Sequence, residues 1–250
     1  MCGRYSLTAS PEDVEALFAL DEIDPFPPRY NIAPTQPVLT IMAAPPQPEG
    51  SNRSTNLARL ARWGFIPSWV KDPKDFPLIL NARAETAAEK NSFRAALRRR
   101  RVLFPASGFY EWRRDGTKKS QAFWVPPKSG GIVAFGGLME TWNSADGSEI
   151  DTAAILTCAA NADIAPIHDR MPVVIKPEHF ARWLDCREVG QPDITDLLAP
   201  ASPGTFAPVA ISSKVNKVTN AGPDVQEPIA ENPPQEPAEP AAPASQLKLF

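Results

Sequence analysis

Sulfur and imidazole are scarce in this chain: its 250 residues hold three cysteines, Cys2, Cys158 and Cys186, and two histidines, His168 and His179. Three scattered thiols cannot staple a disulfide scaffold, and no CxxC or Cys/His spacing of a zinc site is present, so no metal is expected. No apolar run reaches 18 residues, and the N-terminus lacks a basic segment followed by an apolar stretch and a cleavage site. The expectation is a cytoplasmic protein in a reducing compartment, with no membrane partner and no cofactor.

What is present suits a globular domain: 43% hydrophobic and 22% charged residues, in a chain long enough to bury a substantial core. The net charge of −3 argues against a nucleic-acid binder, but it is spread unevenly. Residues 223–250 carry five acids against Lys248, a local −4, which leaves residues 1–222 at +1. Within those, Arg94–Lys119 holds nine basic residues against Glu111 and Asp115, a local +7. Such a field would attract phosphates. The run Arg98–Arg101 equally fits a solvated helix end, where cations are favoured.

Strand patterns outnumber helical ones. "SPEDVEALFAL" predicts a first helix, with Ser10 as N-cap, Pro11 at N1, acids in the first turn and Val14, Leu17 and Phe18 on one face. "RYNIAPTQP" reads as an irregular loop, and "KNSFRAALRRR" as a helix capped by Ser92. "VLTIMAA", "LARLARWGFI", "RVLFPA", "GFYEWRR", "QAFWVP", "GIVAFGGLMETW", "DTAAILTCAAN" and "FAPVAISS" read as strands, with a turn at Asp115-Gly116 and a late helix at "PEHFARWL". The predicted class is α+β: one compact domain over 2–222, with a mixed or antiparallel, barrel-like sheet and peripheral helices. Residues 223–245, with seven prolines and repeated Ala and Glu, are expected to form a disordered tail, and 246–250 restore apolar character as "QLKLF".

The chemistry begins at "MCGRYS". Removal of Met1 would leave Cys2 with a free amine of pKa about 7.7 to 8 beside a thiol of pKa about 8.5, a 1,2-aminothiol. "LILNARAET" sets Asn81, Arg83 and Glu85 behind an apolar run, where Asn81 could bond a substrate or the terminal amine and Arg83 could clamp an anion. Glu111 lies in an aromatic-rich strand, on the face opposite Tyr110 and Trp112; apolar neighbours would raise its pKa towards neutrality, and a cross-strand ion pair is the alternative. His168, in the irregular "APIHDRMP", is better placed for proton transfer than His179 on its amphipathic helix. Trp63 and Trp69 could stack on bases, Trp63 being the better fit to a core.

"CGRY", "RYNIAPTQ", "WGFIPSW", "NARAET", "FPASGFYEW", "IHDRMP" and "SSKVN" together resemble, in order and approximate spacing, the SRAP family of SOS-response-associated peptidases, over about Cys2–Ile229. The resemblance implies a compact α+β fold with a basic groove, the N-terminal cysteine at its floor, and shielding of abasic sites in single-stranded DNA. It implies Cys2 as the crosslinking nucleophile, Asn81 as the residue that orients it and Glu111 and His168 as the acid/base pair. Arg4, Arg83 and Arg170 resemble phosphate contacts, and Thr157 a lesser polar contact. Val102, Ser107 and Val70 depart from common family residues without removing a catalytic group; Val70 weakens base stacking there. An aldehyde from an opened abasic sugar would condense with the Cys2 amine to an imine, on which the thiol closes a thiazolidine.

"QLKLF" resembles the bacterial sliding-clamp-binding pentapeptide, with Gln246, Leu247, Leu249 and Phe250 as contacts at the end of a long tether. Two other classes compete. An N-terminal-nucleophile glutaminase also uses a terminal cysteine with its own amine as base, but no glutamine-binding constellation is found. A noncatalytic adaptor for single-stranded DNA or the clamp would be indifferent to Cys2→Ala.

Overall fold

The computed structural model describes residues 2–114 and 120–230. The turn at Asp115-Gly116 and the segment 231–250, with Gln246, Leu247, Leu249 and Phe250, lie outside the described residues.

In chain order the elements are β1 (Tyr5–Leu7), α1 (Pro11–Phe18), β2 (Arg29–Ile32), β3 (Pro37–Ala43), β4 (Asn56–Trp63), β5 (Asn81–Arg83), α2 (Ala84–Ala87), α3 (Arg94–Arg99), β6 (Arg101–Ala106), β7 (Gly108–Arg114), β8 (Ser120–Val125), β9 (Val133–Asn143), β10 (Glu149–Ala159), β11 (Arg170–Pro172), β12 (Val174–Ile175), α4 (Phe180–Leu184) and β13 (Val209–Ile211). The fold is α+β, with two sheets and short peripheral helices. None of the helices among the described residues is long and apolar enough to cross a membrane.

The larger sheet closes on itself. Strands β10, β4, β3, β6 and β9 pair in that order, and β9 pairs back onto β10. All contacts in this ring are antiparallel except β4 with β10, where Thr152 faces Arg62 and Ala153 faces Trp63 in parallel. Closure removes the unpaired edges that an open sheet would present. On the outer end of β10, β5 pairs in parallel (Ile155 with Asn81, Thr157 with Arg83) and β11 antiparallel (Ala159 with Arg170). The second sheet runs β13, β8, β7, β1, β2.

Tyr5 ties the two sheets together. It is buried, and its ring meets those of Trp63 on β4, Phe104 on β6 and Phe135 on β9 edge-on, with centroids 5.2, 6.5 and 6.5 Å away. Each such pair adds about 0.5–1.5 kcal/mol beyond burial. Because β1 begins three residues after Cys2, these contacts fix where the N-terminus lies.

Helix α1 starts as its sequence dictates: Asp13 N–H donates to Ser10 Oγ and the Asp13 carboxylate accepts from Ser10 N–H, a reciprocal capping box, while Val14 and Phe18 are buried. Three expectations need correction. Arg29–Ile32 is a strand rather than a loop, because Ile32 and Arg29 pair with Tyr5 and Leu7 of β1. Helix α3 has Phe93, not Ser92, at its N-cap, with no side-chain cap bond. The packed domain also runs past Gly222: Pro223–Gln226 forms a 3-10 turn, Val225 is buried, and Gln226 Nε2 donates to Tyr110 Oη at 2.9 Å.

Among the described residues, the basic run does not form one continuous cationic face. Arg101 is 1% exposed and donates to the carbonyls of Trp183, Leu97, Asp185 and Val189, and Arg100 pairs with Glu140 at 3.2 Å. Arg113 lies over the Phe123 ring in the other sheet. Arg94, Arg98 and Arg99 stand exposed on α3.

Candidate active site

Cys2 is fully buried, two residues before the point where β1 meets β7 through Tyr110 N–H to Arg4 O at 2.9 Å. Its Sγ lies 3.7 Å from Arg4 O. From the other sheet, Asn81 Nδ2 donates to the Cys2 carbonyl oxygen at 2.9 Å. Parallel pairing of Asn81 with Ile155 holds β5 on the barrel wall and thereby aims this amide. Asn81 Oδ1 is buried and has no hydrogen-bond partner among the described residues. An unused buried acceptor costs about 1–3 kcal/mol, and it marks a place where a donor would be welcome.

Glu111 alternates with Tyr110 and Trp112 along β7 and is buried at 2% exposure. Loss of solvation, above all, raises its pKa from the ordinary 4.5 to about 7, and the charge of Asp169 adds to the rise. The Cys2 thiol is pushed well above the usual thiol range, by burial first and by the Glu111 charge second. Cys2, Asn81, Glu111 and Asp169 therefore share one electrostatic neighbourhood. The thiol there is neutral and Glu111 is poised to exchange protons near pH 7.

The segment Ile167–Arg170 leads into β11. Arg170 N–H donates to His168 Nδ1 at 3.0 Å, which leaves the imidazole proton on Nε2. Asp169 Oδ1 also lies 2.9 Å from Nδ1 and makes the opposite demand. Its side chain is 86% exposed, so water competes for that carboxylate.

The arginines differ in availability. Arg83 is exposed at the end of β5. Arg170 Nη1 and Nη2 bind both oxygens of Glu85, at 2.6 and 2.8 Å, and Nη2 donates to Thr157 O at 2.7 Å. Thr157 is fully buried, so its influence on a ligand runs through Arg170. Arg4 Nη1 is committed to Asn31 Oδ1 and Val215 O, both at 2.7 Å, and clamps the Val215 loop. Asn31, to which sequence reasoning gave no role, donates from Nδ2 to the carbonyls of Val215, Lys217 and Asn220. Its place inside "RYNIAPTQ" was visible; its partners, nearly 190 residues on, were not.

Trp63 is buried, with Nε1 donating to Leu80 O at 3.0 Å, whereas Trp69 is 58% exposed and rests edge-on against Phe76. Val70 packs inward with Ile66 and Trp142 and offers no stacking surface. Two cavities, of about 650 Å³ beside Leu20–Phe26 and about 710 Å³ beside Arg99–Arg101 and Cys186, contain none of Cys2, Asn81, Glu111 or His168.

A closed mixed barrel carrying a buried near-terminal cysteine, with an amide bonded to its carbonyl and a neutral-range carboxylate acting on its thiol, defines a class of α+β proteins built around the start of their own chain. The chain belongs to the SOS response associated peptidase (SRAP) family, whose model matches residues 1–218. It is 38% identical over 230 residues to "Abasic site processing protein YoqW" of Bacillus subtilis (strain 168), covering 91% of this chain and 99% of that one. It is 32% identical over 240 residues to "Abasic site processing protein YedK" of Escherichia coli (strain K12), covering 92% and 100%. A solved structure from Bacteroides thetaiotaomicron has the same fold, with a TM-score of 0.78 at 23% identity over 92% of this chain and all of that one.

Proposed function

We propose that this protein processes abasic sites in single-stranded DNA by forming a covalent thiazolidine through Cys2 once Met1 has been removed. The observations that support this reading are the Asn81 amide bonded to the carbonyl of a buried Cys2 and the Glu111 charge acting on the Cys2 thiol, and the names of the relatives agree with it.

The chemistry runs in three steps. An abasic deoxyribose is mostly a closed hemiacetal; the Glu111 carboxylate takes the hydroxyl proton while His168 Nε2–H gives a proton to the ring oxygen, and the ring opens to an aldehyde. The Cys2 amine, on a residue that the Asn81 amide anchors by its carbonyl oxygen, adds to that carbon and loses water to give an imine. The neutral thiol then adds to the same carbon, its proton passing to the nitrogen, and closes a five-membered ring. Effective molarity favours this last step because amine and thiol sit on one residue. A raised thiol pKa suits the order, since a thiolate would compete with the amine for the aldehyde. β-Elimination from the imine and self-removal of Met1 are side activities open to the same groups.

Arg83 and Arg170 supply the phosphate contacts, so binding weakens with salt. Contact of Gln246, Leu247, Leu249 and Phe250 with a sliding clamp is a separate part of the proposal, tested by pull-down with the five residues deleted.

Incubation with single-stranded DNA carrying one abasic site, followed by denaturing electrophoresis and intact mass, tests the chemistry. The expected product is heat-stable, absent with Cys2→Ala or undamaged DNA, and has the mass of Met1-free protein plus DNA minus water. No adduct from protein lacking Met1 would sink the crosslinking reading; unchanged DNA handling by Cys2→Ala would favour an adaptor.

A further inference from the structure

Arg170 is an unusual choice for a phosphate contact, because its fork is already taken. Both Nη atoms bind the Glu85 carboxylate, and Nη2 also serves Thr157 O. Of the five N–H donors of a guanidinium, these bonds leave one hydrogen on Nη1 and the Nε–H, and Nε is buried with no hydrogen-bond partner among the described residues. Glu85 is 50% exposed and Arg170 14%, so the acid stands on the solvent side with the arginine behind it. A phosphate arriving from solvent meets a carboxylate that offers the same two-oxygen geometry and the same sign of charge. As a pair the two side chains are neutral, and Arg83, two residues before Glu85, is left as the exposed cation of this edge.

We propose that Glu85 is a built-in competitor for the DNA phosphate at Arg170: the carboxylate holds the fork in the free protein, and a phosphate of single-stranded DNA displaces it. This rests on the single-strand-binding reading above. Glu85 is suited to yield, since it lies on a single helical turn, Ala84–Ala87, and its side chain is half in solvent. Burial of Thr157 keeps Arg170 in place from behind when Glu85 leaves, so the fork stays aimed outward. The consequence is weak holding of undamaged strand, with lasting attachment left to the covalent step.

The test uses full-length protein and a fluorescent, undamaged single-stranded oligonucleotide, with anisotropy read across a salt series for wild type, Glu85→Gln, Glu85→Ala, Arg170→Gln and the Glu85→Gln/Arg170→Gln double variant. Melting temperatures establish that each variant is folded. Both Glu85 variants should bind about fivefold tighter, the scale of one partly exposed ion pair. The slope of log K against log salt should stay as in wild type, because Arg170 meets the same phosphate in both complexes, and should flatten by about 0.7 in Arg170→Gln. In the Arg170→Gln background the gain should vanish. Equal or weaker binding by the Glu85 variants overturns the proposal, and so does a gain that survives without Arg170, which would reflect only the loss of a nearby negative charge. Wild type that fails to bind the oligonucleotide at all overturns the single-strand-binding reading together with this one.

Discussion

Asn81 and Cys2 are joined across the two sheets by a bond of 2.9 Å from the Asn81 side-chain amide to the Cys2 carbonyl. The bond fixes the peptide that carries the reactive amine and thiol, and its geometry follows from β5 pairing on β10. Misplacing a reacting group by about 1 Å costs roughly 100-fold in rate. Asn81→Ala should therefore slow single-turnover crosslinking by about 10- to 100-fold while leaving affinity for undamaged strand within twofold. Time courses on denaturing gels, paired with anisotropy, separate the two quantities; equal losses in both would make Asn81 a binding residue instead.

Glu111 makes a prediction about pH with a definite sign. Its folded pKa, about 7, lies above the ordinary 4.5 because burial penalises the charged form. The carboxylate is the base in ring opening, so the crosslinking rate should rise through about pH 7, and Glu111→Gln should abolish that step. A further rise from the Cys2 amine, near pH 7.7 to 8, should remain in both proteins.

The same shift bears on stability in the opposite direction. A group with a raised folded pKa contributes stability that is fully present below its unfolded pKa and is lost as pH climbs through the folded one. Wild type should thus lose ground to Glu111→Gln between pH 5 and pH 8, by on the order of 3 kcal/mol at most. Denaturant midpoints at the two pH values provide the measurement, and a gap that does not widen with pH would contradict the burial penalty.

Arg101 is predicted to matter for folding and not for DNA. It is buried and its guanidinium serves four backbone carbonyls, those of Leu97, Trp183, Asp185 and Val189. Arg101→Ala strips all four, and Arg101→Lys cannot span them with one ammonium. Each should destabilise by about 3–5 kcal/mol. Arg98→Ala and Arg99→Ala, on the exposed side of the same run, should change stability by less than about 0.5 kcal/mol. Thermal unfolding of the four variants distinguishes the roles.

Which features could be read from sequence depended on how far apart the partners are. Helix α1 was legible because Ser10, Pro11 and Asp13 cap it within four residues. Strand β2 was not, because its identity comes from β1, more than twenty residues earlier, and its own residues are followed by turn-like proline and threonine. Barrel closure joins β4 to β10, some ninety residues away, and leaves no local mark. At the candidate site, the sequence nominates Cys2, Asn81, Glu111 and His168 by residue type, whereas the direction of each side chain leaves no mark in it. Arg4 turns to Asn31 and Val215, and Thr157 faces Arg170 from a fully buried position. Composition placed the domain end at Gly222 because a window rich in proline hides one buried valine, Val225.

Trp69 and Trp63, six residues apart, should respond to truncation in opposite ways. Trp63 is buried against Tyr5 and bonded to Leu80, so Trp63→Ala opens a cavity in the barrel and should cost about 3–5 kcal/mol of stability. Trp69 lies on a loop pinned from below, where Trp142 Nε1 donates to Val70 O at 2.6 Å and Val70 N–H closes a turn onto Pro67 O. Its ring needs no further support than the edge of Phe76, 5.6 Å away, and Trp69→Ala should shift stability by less than about 0.5 kcal/mol. A base stacked on that ring is worth about 1–3 kcal/mol, so the same variant should weaken single-strand binding by roughly 5- to 150-fold. Stacking carries no charge, which means the salt dependence should stay as in wild type even as affinity falls. A flattened salt slope in Trp69→Ala would show that the loop acts by placing cations, and an unchanged affinity would remove Trp69 from the DNA-binding surface.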